Sequence, residues 1–160
     1  MKKIITTIAL FLFVTTAFCQ KEKKNGTIYM EHPYIEAVNN TTKAYLAKDV
    51  ATNRKIYSDK ATFWISGLEK PIPIEDAFKS WAADLDFYDD VKVDVVGYPD
   101  YLHYADKDQK YVQSWWKWSG KSKKTGEIVT IDYVQFDKFD AAGKIISESI
   151  YGDFSKMVKK

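Results

Sequence analysis

Three successive runs of β-branched and aromatic residues between Tyr111 and Tyr151 limit the folds open to this chain more than any other feature. Tyr111–Trp118, Ile128–Phe136 and Ile145–Tyr151 each have strand composition, and the Lys- and Gly-containing connections between them suit hairpin turns. A meander of this length needs cover on one face. The upstream sequence supplies it as three amphipathic stretches. Pro33 opens the first, in which Tyr34, Val38, Thr41, Thr42 and Tyr45 recur at three- and four-residue spacing through Lys48. Asp49 caps a second from Val50 to about Tyr57, and Ile74 to about Leu85 forms the third, with Ala77, Phe78, Trp81, Ala82 and Leu85 on one stripe. Ala61–Ile65 and Val91–Val96 read as strands, and Tyr101–Tyr104 as a further one. Helices gathered ahead of a run of strands define an α+β chain. The expectation is a cone-shaped, curved antiparallel sheet with the three N-terminal helices packed on its concave face.

The N-terminus has a different purpose. Lys2-Lys3, the apolar run Ile4–Val14 and Ala17-Phe18-Cys19 ahead of Gln20 form the three regions of a secretory signal peptide, and the apolar run is too short to span a bilayer. The expected organisation is a signal peptide over 1–19, a flexible polar leader over 20–32 and one domain over 33–156, exported to the periplasm or beyond, with no integral membrane segment after cleavage. Lipidation at Cys19 is the alternative, disfavoured by the bulky Phe18. Cys19 is the only cysteine, so cleavage after it leaves no thiol for a disulfide, a nucleophile or a sulfur-ligated metal. Apart from Lys2 and Lys3 the charges balance, which gives no footprint for a nucleic acid.

Several strings, taken together and in order, resemble the nuclear transport factor 2-like superfamily, which includes ketosteroid isomerase and the SnoaL-like polyketide cyclases. They are Ala47-Lys48-Asp49, Ile56–Phe63, Phe136–Ile146 and Ile150–Asp153, and the resemblance runs from about residue 33 to 154. It implies a pocket at the wide end of a cone, reacting groups inside it, and dimerisation through the outer sheet face. The acid-base set of ketosteroid isomerase is not matched. Its base position falls near Ile65, its tyrosine near Thr41 and its protonated acid at about Gln135, with Asp132 on the opposite and Asp137 on the same strand face as Gln135. His32 and His103 lack metal or triad spacing, and no phosphate-binding glycine loop is present, so no catalytic residue, metal or cofactor is assigned.

What remains is an abundance of aromatic residues: 5 Trp, 11 Tyr and 9 Phe, more than a small core needs. Trp64, Trp81, Trp115, Tyr133, Gln135 and Tyr151 are the candidate lining of a pocket for a small hydrophobic or aromatic molecule. The alternatives are a pocket enzyme acting by proton transfer (an isomerase, cyclase or dehydratase) and a dimeric interaction module. Alternation points Asp132 outward and leaves Glu148 open to either face. Because both faces of Tyr111–Trp118 carry large aromatics, a homodimer through the convex face is expected. The processing expectation has a direct check. Intact-mass analysis of the exported chain should give a species beginning at Gln20, and a diacylglycerol-modified Cys19 would contradict it.

Overall fold

The computed structural model describes residues 24–157, so the expected signal peptide and its cleavage after Cys19 lie outside the described residues. The chain runs β1 (Thr27–Tyr29), α1 (Pro33–Leu46), α2 (Val50–Ile56), β2 (Tyr57–Ile65), β3 (Ile72–Pro73), α3 (Ile74–Phe87), β4 (Tyr88–Val95), β5 (Asp100–Tyr104), a 3-10 turn, β6 (Gln109–Ser122), β7 (Ile128–Phe139) and β8 (Ile145–Gly152). All strands join one sheet in the order β1-β5-β6-β7-β8-β2-β3, with β4 also paired to β6. Every pairing is antiparallel except β2 with β8, which run parallel. The sheet is therefore mixed, with the crossover between those two strands containing everything from β3 to β7.

The expected meander is the spine, with strands longer than their apolar runs. β6 and β7 stay in register from Lys110 opposite Phe139 to Lys121 opposite Ile128. The other edge of β6 is divided: its first part pairs with β5, and from Trp116 onward it pairs with β4. Polar residues at the hairpin tip are carried into the ladder because the backbone bonds on both sides are available to them.

Local chemistry sets the helix boundaries. His32 Nδ1 accepts the Tyr34 N–H at 3.2 Å ahead of Pro33, and Asp49 Oδ1 accepts the Thr52 N–H at 3.0 Å to start α2. Arg54 ties α2 to α3 through a two-pronged pair with Glu75, at 2.8 and 2.6 Å. The inner stripe of α1 is Ile35, Val38, Thr41 and Ala44, and that of α3 includes Ile74, Ala77 and Phe78. Against the sheet they form a core with Val38, Ala77, Val112 and Ile145 wholly buried. Burial of such side chains contributes about 1.5–3 kcal/mol each for the larger ones.

Two local readings change. Tyr57, placed at the end of the second helix, instead begins β2, where it is buried beneath the helices. Within the stretch expected to be a flexible leader, Thr27–Tyr29 form β1 on the edge strand β5. Gly26 permits that approach, since a Cβ there would lie 2.3 Å from the carbonyl oxygen of His103. The strand's three residues are exposed, which is why composition made them resemble a tail.

Candidate active site

The parity of the strands decides which side chains reach the interior. On β7 the inward set is Ile131, Tyr133, Gln135, Asp137 and Phe139. On β8 a one-residue irregularity intervenes: Lys138 faces Ser147, yet Phe139 faces Ile145. In an unbroken strand positions 145 and 148 would point to opposite faces. The bulge turns both inward, so Ile145 and Glu148 are each buried. Glu148 then lies directly across from Asp137.

The helices roof a cavity of about 100 Å³ above Glu148. α1 contributes Thr41, Thr42 and Tyr45, α3 contributes Trp81 and Asp84, and β2 contributes Tyr57, Phe63 and Ile65. The sheet adds Val93, Trp118, Tyr133, Gln135, Glu148 and Ile150, and Phe154 and Met157 close one side after β8. Gly152 lets Phe154 come in: a Cβ at 152 would lie 3.0 Å from its ring and 2.9 Å from Tyr133 Cβ.

At the cavity floor the Tyr57 hydroxyl donates to Glu148 Oε2. Beside it Gln135 Nε2 donates to Asp137 Oδ2 at 2.9 Å, while Asp137 Oδ1 has no hydrogen-bond partner among the described residues. Asp137 is fully buried and Glu148 is 3% exposed. Removal from water pushes Glu148 up to about 7 against the help that Tyr57 gives its ionised form. Asp137 is raised well above the carboxylate range by burial and then by the Glu148 charge, with Gln135 opposing. Two acids so placed titrate as a pair and hold at least one proton between them near neutrality.

Higher in the cavity, Trp118 Nε1 donates to the Tyr45 hydroxyl at 3.0 Å. Because that oxygen is already an acceptor, Tyr45 keeps its own proton to donate, and burial holds it up at about 12, securely protonated. Tyr57 and Tyr133 are raised as well, again first by burial and then by the neighbouring carboxyls. Among the described residues no three His, Cys, Asp or Glu side chains are grouped so as to hold a metal ion.

The sheet separates the six residues expected at the pocket. Trp81, Tyr133 and Gln135 line the cavity. Trp64, Trp115 and Tyr151 occupy the opposite face because each alternates with an inward neighbour: Trp64 with Phe63 and Ile65, Trp115 with Trp116, Tyr151 with Ile150. Trp64 and Tyr151 pack there at 4.9 Å between ring centroids. Asp132 is exposed. The strongest chemical groups, Glu148, Asp137, Tyr57 and Tyr45, were not among the six.

No protein-family model matches this sequence, and no curated protein sequence matches it. Solved structures do. IdmH from Streptomyces antibioticus, assigned as a polyketide cyclase, superposes with a TM-score of 0.61 at 15% identity, over 79% of this chain and 96% of that one. A protein from Jannaschia assigned as a SnoaL-like polyketide cyclase gives 0.60 at 14% identity, over 85% and 92%. An NTF2-like protein from Exiguobacterium gives 0.56 at 20% identity, over 74% and 98%. The chain has the nuclear transport factor 2-like fold. In this nuclear transport factor 2-like chain the acid pair sits on the last two strands.

Burial of Glu148 predicts a pH signature. Its proton is bound more tightly in the folded state than in the unfolded chain, where the ordinary value is 4.5. The folded state therefore carries no penalty from this group below about pH 4.5 and loses stability as pH rises through about 7, by on the order of 3 kcal/mol. Asp137, shifted the same way, adds to the loss. Urea unfolding from pH 4.5 to 8 should show Glu148→Gln losing less stability than the unsubstituted protein, because it removes one titration and the charge that adds to the effect of burial on Asp137. Parallel losses in the two proteins would contradict the assignment.

Proposed function

We propose that the cavity binds a small, largely apolar molecule and that the Glu148–Asp137 pair moves a proton to or from it, making the chain a pocket enzyme of isomerase, cyclase or dehydratase type. The observation that carries this reading is a buried carboxyl on the cavity floor, backed by a second acid and held by a tyrosine hydroxyl. A base working near neutral pH needs a pKa close to 7, and a floor carboxyl raised to about 7 meets that requirement. Structural burial of two adjacent acids otherwise costs several kcal/mol per ion, with no cationic partner for either among the cavity lining.

The chemistry follows from the placement. Ionised Glu148 removes a proton from a C–H beside an electron-withdrawing group, becoming the neutral acid, and returns that proton to a second position or a leaving oxygen. Negative charge building on the ligand's oxygen meets the Tyr45 O–H, which Trp118 orients. Asp137 holds its proton beside it, and removal from water keeps Glu148 from ionising too readily. The aromatic walls exclude water and select for size: about 100 Å³ is below the roughly 300–1,000 Å³ of pockets built for drug-sized ligands, which favours a compact substrate. Release through the signal peptide places this activity outside the cytoplasm in the same proposal.

The test uses carbon acids rather than a known substrate. In D₂O, a panel of small ketones and nitroalkanes followed by NMR should include members whose C–H exchange the protein accelerates, with at least a 100-fold loss in Glu148→Gln and a change in pH profile in Asp137→Asn. Exchange that survives Glu148→Gln, or no acceleration across the panel, would overturn the proposal.

The convex face supports a second element, assembly with another copy of the chain. Tyr111, Val134, Phe136, Ser149 and Tyr151 line a shallow depression there, and Tyr151 is 49% exposed. Phe136 and Tyr104 extend the aromatic surface by edge contacts to Tyr151 and Tyr111. A contiguous apolar face of this kind fits a two-fold interface, in which the same patch meets itself. Light scattering should give a dimer at high micromolar concentration and a monomer for Tyr151→Asp. A monomeric parent protein would remove this element without touching the cavity.

A further inference from the structure

We infer that the molecule this cavity takes is a small organic cation, an amine or quaternary ammonium group seated among the aromatic rings and against the Glu148 carboxyl. The inference rests on the reading of the cavity as a ligand site and names the class of ligand. Three observations converge on it. The walls are aromatic: Tyr45, Tyr57, Trp81, Trp118, Tyr133 and Phe154 all border the space, and aromatic rings attract cations most strongly where water is excluded. The polar ends are acidic, with Glu148 on the floor and Asp84 on α3, and no Lys, Arg or His lies in the lining. Among the described residues the acid pair has no counter-ion of its own.

That last point decides between ligand charges. The groups facing Glu148 are the Tyr57 hydroxyl from β2, Asp137, Gln135 and Tyr133 from β7, and Thr41 and Tyr45 from α1. From α3 the cavity receives Trp81 and Asp84. Every one is neutral or acidic, and the two side-chain donors to the acids, Tyr57 and Gln135, are uncharged. Buried carboxylates are ordinarily paired with a cation or kept protonated. A cationic ligand would be the missing partner, drawing Glu148 to its ionised form as it binds. A carboxylate or phosphate would meet two acids with no cation to offset them, and a neutral molecule would gain apolar burial and the Tyr45 hydroxyl but no charge partner. Restricted volume confines the cation to a few carbon atoms around the nitrogen.

Three probes of one branched shape separate the charges: tetramethylammonium, tert-butanol and trimethylacetate. Titration calorimetry on the intact protein at pH 6 and 8, in two buffers of different ionisation heat, should show tetramethylammonium binding at least tenfold more tightly than tert-butanol and no saturation with trimethylacetate. At pH 6 its binding should release a proton to the buffer, as Glu148 ionises against it. Glu148→Gln should bring tetramethylammonium to within about threefold of tert-butanol while tert-butanol still binds. Trp81→Leu, which keeps the floor intact, should weaken the cation more than the alcohol. If tert-butanol or trimethylacetate binds as tightly as tetramethylammonium, the inference of a cation is overturned and the ligand site stands. If none of the three saturates, both readings fall.

Discussion

Two carboxyl groups facing one another across the last pair of strands form the constraint on which the rest of this structure turns. Asp137 and Glu148 are withdrawn from water between the sheet and the helical roof, where an unpaired ion costs several kcal/mol. Three features keep that arrangement tolerable. A proton is retained by the pair, the Tyr57 hydroxyl and the Gln135 amide each satisfy one carboxyl oxygen, and the floor of a cavity adjoins Glu148. A chain needing only stability would fill these positions with aliphatic side chains, as it does at Ile145 and Ile150 on the same strand.

The sheet divides the aromatic residues between two tasks. Inward rings on β6 and β7 join Tyr45 and Trp81 from the helices around the cavity. Outward rings on the same strands build a separate apolar surface around Tyr111, Phe136 and Tyr151. The two surfaces share a backbone but no side chains. Farther along the strands the interior is filled instead: His32 stacks on Tyr101 at 3.7 Å between centroids, and Tyr34 on Phe139 at 4.2 Å. The interior opens where the helices present Thr41, Tyr45 and Trp81.

Much of the architecture was legible in the residues, and much of the site was not, for definable reasons. Spacing in α1 and α3 and alternation in β7 carry their information locally, so the helices, the meander and the shared face of Tyr133, Gln135 and Asp137 could be read directly. Aromatic character alone groups Trp115, Trp64 and Tyr151 with the cavity, whereas parity sends each to the outer face. Alternation alone leaves Glu148 open to either face: a bulge between Ile145 and Ser147 reverses the parity, and nothing in Ile145-Ile146-Ser147-Glu148 marks where a bulge falls. Tyr57 was read as helical because the apolar spacing of α2 continues through it, although parallel pairing with β8 claims it for the sheet. The misses are long-range: each depends on the neighbouring strand rather than on the residue's own segment.

The account therefore stands on the protonation of one side chain. Carbon-13 labelling of the glutamate carboxyls and NMR titration of the folded protein, assigned through Glu148→Gln, would observe it directly. The account predicts that the Glu148 signal moves well above the ordinary carboxylate range, at about 7, coupled to a second transition that Asp137→Asn removes. A Glu148 carboxyl titrating at the ordinary value near 4.5, with no response to Asp137→Asn, would contradict it.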